Sequence, residues 1–456
     1  MVAESCFMLT SLLAFIVAIG VLVSIHEYGH YKVAKGCGVK VLVFSIGFGK
    51  PLWQWQRGET LWQIGAIPLG GYVSMLDERA GEPIEAADLP RAFNRRPPLA
   101  KMAIVIAGPL ANFLLAILLY WGLSLSGVEA LRPVISFVSS GSVAEKSGIR
   151  QGDEVISVGG VPISGWDELQ LSLLEKSGGA VTVPLQLRSN TGSDRSISLD
   201  LTHLKRDEID QQLLSRLGMS PVPLSLRIAQ ITPGSAAARA GVRAGDQLMM
   251  INGERLHGWQ DVQSHIASSA SQPLLLSLQR QGQVIEHTVI PDAVVENGLK
   301  IGKLGFAPEV DMHAWQQQRF MQDFGPLEGL QYALEKTWQG SRLTLVMFWK
   351  MLTGVVSIKQ VSGPITIATF AGESARLGLS TFLEYLCVIS ISLGVLNLLP
   401  LPVLDGGHLM YHTVEFLTGR RLPPGAEAFG QQIGIILLLG LMSLALYNDI
   451  HRLFLG

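Results

Sequence analysis

Residues 6–30 read CFMLTSLLAFIVAIGVLVSIHEYGH, an uncharged run from Cys6 to Ile25 that leads straight into His26, Glu27 and His30. About 20 apolar residues suffice to cross a hydrocarbon core as a helix. A helix is the form that pairs every backbone polar group within the segment, as lipid demands. Three ionisable residues at the end of such a span are costly and require a reason. Their spacing, H-E-x-x-H, supplies one. Positions i and i+4 share a helical face, so His26 and His30 can present two imidazoles to one metal ion. Glu27, one residue on, is placed to take a proton from an attacking water as general base. The competing reading ends the span at Ile25 and leaves these residues on a wet helix end.

A catalytic zinc takes three protein ligands and keeps one position open. The third ligand must come from elsewhere, and Asp405 is the candidate. It stands in Asn397-Leu-Leu-Pro400-Leu-Pro402-Val-Leu-Asp405-Gly-Gly, at the end of another apolar run. The two prolines interrupt a helix where freed backbone groups need protein or a wet cavity around them. Asp405 could instead cap the helix that follows. Asn397 can donate its amide to an oxyanion, or simply bond a neighbouring helix. His408 and His412 share a helical face but lack an acidic partner in the motif position, and read as structural or interfacial.

Working outward, uncharged or nearly uncharged stretches also occupy residues 102–128, 385–404 and 428–448. The chain has 456 residues, 16% charged, with a net charge of −2 and a mean hydropathy of +0.34. That balance gives no reason to expect nucleic acid. Three cysteines without paired spacing argue against a disulfide framework. The first stretch lacks a basic start and an Ala-x-Ala cleavage site, so it reads as a retained span and not a signal peptide. The loop at 31–100 carries Lys32, Lys35, Lys40, Lys50, Arg57, Arg79, Arg91, Arg95 and Arg96, whereas residues 1–6 carry no Lys or Arg. The positive-inside rule puts that loop in the cytoplasm and the region from about 129 to 380 outside. His26, His30 and Asp405 then emerge on the same, cytoplasmic side.

The long external region repeats itself. Gly148, Gly152, Asp153, Gly160 and Trp166 recur as Gly241, Gly245, Asp246, Gly253 and Trp259, each offset by 93 positions. A period that long means two tandem domains and not a solenoid. Turn-bounded short strands with one helix suggest small β-rich units. They resemble PDZ domains in circularly permuted form, expected at 129–215 and 222–310. Such units bind peptide ends or exposed strands by β-addition, or act as spacers. Residues 326–353 read as an amphipathic helix, lying at the membrane surface or packed on the second repeat.

On His26-Glu27-x-x-His30, Gly47-Phe48-Gly49, Pro68-x-Gly70-Gly71-Tyr72, Ser362-Gly363-Pro364-Ile365 and Asn397-x-x-Pro400-x-Pro402-x-Leu404-Asp405-Gly406, the chain resembles the site-2 protease family of intramembrane metalloproteases. The likeness spans nearly the whole chain. It implies one Zn²⁺ per chain, a peptide cut within the bilayer, and single-pass membrane substrates such as a trimmed anti-sigma factor. It also implies a bacterial inner-membrane location, no nucleic acid and no small-molecule cofactor beyond zinc. Residues 60–77 read as a β-hairpin turning at Pro68 to Gly71. In the family such a hairpin pairs with unwound substrate, which would engage Gly65, Pro68, Gly70, Gly71, Tyr72 and Val73. The expected fold is a polytopic α-helical membrane protein with four transmembrane helices (6–30, 101–128, 380–405, 427–448) and two tandem extracytoplasmic PDZ-like β-rich domains. A membrane metal transporter or metal-sensing scaffold is the rival reading. Glu27 beside the ligands and the peptide-binding-like repeats favour the protease.

Overall fold

A computed structural model of the chain describes residues 2–80, 84–178, 181–204, 208–210, 212–296, 299–358, 361–421 and 423–455. Small parts of both expected repeats, 179–180, 205–207, 211 and 297–298, lie outside the described residues. The chain divides into two compact units. One comprises Met1–Val128, Asp323–Leu352 and Ser357–Gly456; the other comprises Glu129–Gln322 and Thr353–Val356.

Among the described residues, the first unit contains four helices long and apolar enough to cross a membrane: Met8–Gly36, Pro98–Ser124, Leu379–Leu398 and Gly425–His451. The second of these is the hub. Leu115 and Leu119 pack against Ala18 and Leu22 of the first and Leu386 of the third. Ala116 and Phe113 close on Cys387, Ile391 and Val395 of the third. Small residues allow the close approach. A Cβ on Gly29 would clash with the Ala107 carbonyl, so the first two helices meet almost backbone to backbone. The helix Pro326–Leu352 also leans on the second apolar helix through Gly329, which meets Ser124, while Trp338 and Trp349 stay exposed. The Ser362-Gly363-Pro364-Ile365 segment is held by Asp449 of the last helix. Its carboxylate accepts the Gly363, Ile365 and Thr366 backbone N–H groups at 2.9, 2.8 and 3.1 Å.

Between the first two apolar helices lies a sheet of two long strands, Val41–Arg57 and Thr60–Met75. This corrects the expected hairpin. The tight turn is at Gly58 and Glu59. Segments 61–64 and 71–74 do not pair with each other. Phe44, Ser45 and Ile46 lie between them, facing Trp62, Gln63 and Ile64 on one side and Val73, Tyr72 and Gly71 on the other. Pro68 to Gly71 lie within the second strand, and a third segment is inserted where two arms were expected to join.

The second unit contains the two copies of the sequence repeat. Helix Val143–Lys146 corresponds to Ala236–Arg239, strand Glu154–Val158 to Gln247–Ile251, and helix Trp166–Lys176 to Trp259–Ser268. The offset of 93 falls by one at the following strand and by three more beyond it, where Leu274–Arg280 and Gln283–Val289 join by a two-residue turn and the first copy uses five residues. The tryptophans are explained by burial: Trp166, Leu169 and Leu173 line the inner helix face in the first copy, as Trp259, Val262 and Ile266 do in the second. Phe137 of the first copy lies buried in the core cluster of the second, so the copies share packing.

Each Gly-Asp turn is a buried ion pair. Asp153 accepts the Arg150 N–H at 2.7 Å and pairs with Arg195. Asp246 accepts the Arg243 N–H at 2.8 Å and two bonds from Arg280 at 2.7 Å. Burial pushes the Asp246 carboxyl up, but Arg280 and the Arg243 N–H outweigh it and hold it below the usual carboxylate range. A folded-state value below the unfolded one stabilises above the unfolded value, and that stability is lost as pH falls through the folded value. Asp246→Ala therefore unfolds the second copy more easily, by about 3 kcal/mol at neutral pH, because Arg280 keeps its charge without a partner. Thermal unfolding of the full chain at pH 7 and pH 3 checks this: the gap between variant and wild type narrows in acid. An equal gap at both pH values contradicts it.

Candidate metal centre

His26 and His30 fall on one face of the first apolar helix, their ring centroids 4.9 Å apart. Their Nε2 atoms are 3.2 Å apart. Asp405 Oδ2 lies 3.0 Å from His26 Nε2 and 3.4 Å from His30 Nε2. No other group of three or more such side chains among the described residues is placed to hold an ion. A tetrahedral ion bound at ~2.0–2.1 Å requires neighbouring ligand atoms ~3.3 Å apart, which is close to all three separations. Asp405 Oδ2 is also buried with no hydrogen-bond partner. An orphaned buried carboxylate oxygen beside two imidazole nitrogens is costly alone and is satisfied by a cation. The donor set fits zinc.

The local chain explains why Asp405 arrives here. It is the first residue of helix Asp405–Thr418, whose N-cap is Leu404, and its carboxylate faces the histidines instead of capping that helix. The approach is tight. Val403 is held at φ 86°, a conformation that costs a β-branched residue energy. A Cβ on Gly406 would clash with the Leu399 carbonyl and one on Gly407 with Leu401, so the Gly-Gly pair lets the helix start against the preceding turn.

A cavity of about 370 Å³ opens beside this cluster, lined by His26, Glu27, His30, Tyr72, Val73, Met75, Phe93, Ile104, Val105, Asp405, His408 and His412. Glu27 thus shares the cavity with the three donor atoms. Gly71 packs over Glu27; a Cβ there would meet its side chain and the Ser45 carbonyl. Tyr72 and Val73 reach the cavity, whereas Gly65, Pro68 and Gly70 stay back, the two glycines closing on Phe48. Asn397, in the last turn of Leu379–Leu398, is half-buried and outside the cavity lining. His408 and His412, which the sequence reads as structural or interfacial, also line an adjoining cavity with Asp77, Arg79 and Glu427.

The second apolar helix supports the cluster in ways the sequence reading missed. The Ile104 carbonyl accepts His30 Nδ1–H at 2.8 Å. Asn112 places its amide 3.3 Å from His26 Nδ1. Gly108, midway between, leaves room for both rings; a Cβ there would clash with both Nε2 atoms. The available signal was Gly108-x-x-x-Asn112, a small residue and a polar one a helical turn apart inside an apolar segment.

The sequence profile described as peptidase family M50 matches residues 14–441. The regulator of sigma-E protease RseP of Escherichia coli is 39% identical over 448 residues, covering 98% of this chain and 99% of the relative. Protease RseP of Yersinia pestis is 41% identical over 455 residues, with the same coverage. A Neisseria meningitidis protein named as a zinc metalloprotease is 41% identical over 448 residues, covering 97% of this chain and 99% of its own.

Proposed function

Because the chain belongs to peptidase family M50 and is a membrane-embedded zinc metalloprotease, we propose that it hydrolyses a peptide bond within the transmembrane segment of a single-pass membrane protein. One Zn²⁺ per chain is held by His26, His30 and Asp405, and Glu27 is the general base. The observation that carries this reading is the convergence of three donor atoms, two from the first apolar helix and one from the start of helix Asp405–Thr418, with Glu27 in the same cavity.

Zn²⁺ bound there supplies a Lewis acid that polarises the scissile carbonyl and acidifies the attacking water. Glu27 accepts the water's proton and later passes it to the departing amine. A substrate helix hides its carbonyls, so it must be opened before attack. Substrate binding falls to the strand carrying Gly65, Pro68, Gly70, Gly71, Tyr72 and Val73, which offers backbone to an extended peptide and of which Tyr72 and Val73 reach the cavity. Asn397 adds an amide to the substrate backbone or the oxyanion.

The Escherichia coli relative is named as a regulator of sigma-E protease. By that likeness the substrate is a trimmed anti-sigma factor, cut in the bacterial inner membrane. The two repeats, at 129–215 and 222–310, are PDZ-like domains on the outer face, while the zinc site lies toward the cytoplasm. There the repeats obstruct substrates that still carry a folded exterior. Matched full-length and trimmed single-pass substrates test this. Wild type cuts only the trimmed form, and a protein lacking 129–310 cuts both. If the deletion still spares full-length substrate while processing the trimmed one, the size gate is wrong. If wild type cuts neither, the substrate reading falls.

A further inference from the structure

Asn112 is fully buried in the second apolar helix, where three helices meet. Its backbone carbonyl accepts Ser390 Oγ–H from the third helix at 2.8 Å. Its side-chain Nδ2 sits 3.3 Å from His26 Nδ1, yet its Oδ1 is buried without a hydrogen-bond partner. The two ends of an amide differ by a half-turn about one bond, and their assignment follows from the surrounding network. The two orientations have opposite consequences for His26. If Nδ2–H donates to Nδ1, the neutral ring carries its proton on Nε2, the atom aimed at His30 and Asp405, and that nitrogen cannot ligate. If Oδ1 faces Nδ1, it accepts Nδ1–H, the Nε2 lone pair points into the cluster, and the orphaned oxygen is satisfied.

His30 supplies the precedent within the same molecule. Its Nδ1 faces the Ile104 carbonyl at 2.8 Å, and a carbonyl only accepts, so Nδ1 carries the proton and Nε2 is bare. Ile104 and Asn112 lie two helical turns apart on one helix, with Gly108 clearing space between them.

We propose that Asn112 is a positioning residue: its Oδ1 accepts His26 Nδ1–H and so fixes the tautomer and ring orientation that aim Nε2 at the metal. The inference rests on the zinc-ligand reading above. Outer-shell partners of ligating histidines typically change metal affinity by about 10–100-fold when removed.

The test is zinc affinity of the full-length protein, measured by chelator competition, with the visible spectrum of the Co²⁺-loaded form as a second readout. Asn112→Leu, which cannot accept the proton, binds zinc about 10–100-fold more weakly. Asn112→Asp, which can, stays near wild type and keeps the wild-type Co²⁺ spectrum. Ser390→Ala removes the interhelical bond at the same residue and leaves zinc affinity unchanged. Wild-type affinity in Asn112→Leu overturns the proposal. So does a loss in Asn112→Asp equal to that in Asn112→Leu, or a matching loss in Ser390→Ala, since each points to helix packing alone. His26→Ala separates the two levels. Unchanged zinc there removes the ligand assignment and the Asn112 role with it. Lost zinc there, with none lost in Asn112→Leu, removes only the Asn112 role.

Discussion

In the Glu27→Gln protein, zinc per chain stays at the wild-type level while peptide hydrolysis falls by about 10²–10⁴-fold, the usual contribution of a positioned acid–base group. The separation of the two effects follows from the geometry. The three atoms that converge for metal belong to His26, His30 and Asp405, and Glu27 lines the cavity beside them. Glutamine matches glutamate in size, so Gly71 still packs over the side chain and the hairpin keeps its place. What is lost is the ability to accept a proton and return it. Metal analysis and a cleavage assay on the same purified sample decide the matter. Retained hydrolysis by zinc-loaded variant would remove the base assignment, and a parallel loss of zinc would make Glu27 a ligand.

Asp405→Ala has the opposite signature, because zinc itself is lost. Two imidazoles remain, 3.2 Å apart at Nε2, and a catalytic site needs three ligands to keep its ion. The affinity falls by more than the roughly 10–100-fold typical of losing an outer-shell partner, and hydrolysis disappears with it. The fold tolerates the change. Asp405 caps nothing, and its Oδ2 makes no hydrogen bond that alanine would forfeit. Zinc content and thermal unfolding, measured together, check both halves. Full zinc occupancy in the variant moves the third ligand elsewhere.

The features legible in the sequence were those written in local periodicity. His26, Glu27 and His30 share a turn, the four apolar helices announce themselves by length, and the repeat is visible because both copies keep Gly-Asp and Trp at the same places. The missed features depend on what passes nearby from far along the chain. Gly108 looks like any helical glycine until two histidine rings, 82 and 78 residues upstream, occupy the space above it. Asn112 reads equally well as a helix-to-helix bond. The strand error has the same origin. Pro68 to Gly71 carries strong turn chemistry, but pairing with Phe44 to Ile46 outweighed the local closure of two arms. Buried Asp153 and Asp246 were visible as a repeat signature, whereas their arginine partners, 42 and 34 residues away, were not.

The donor atoms of the metal cluster are divided between the two ends of the chain: 375 residues separate His30 from Asp405. At a synthesis rate of about 5–20 residues per second, Asp405 leaves the ribosome ~20–75 seconds after the two histidines. During that interval the nascent protein is already inserting apolar helices among other membrane proteins, yet it holds only two of the three donors. On the proposed ligand set it has no proteolytic competence until Asp405 has been made. A chain that stalls or terminates before Asp405 stays inactive by the same arithmetic.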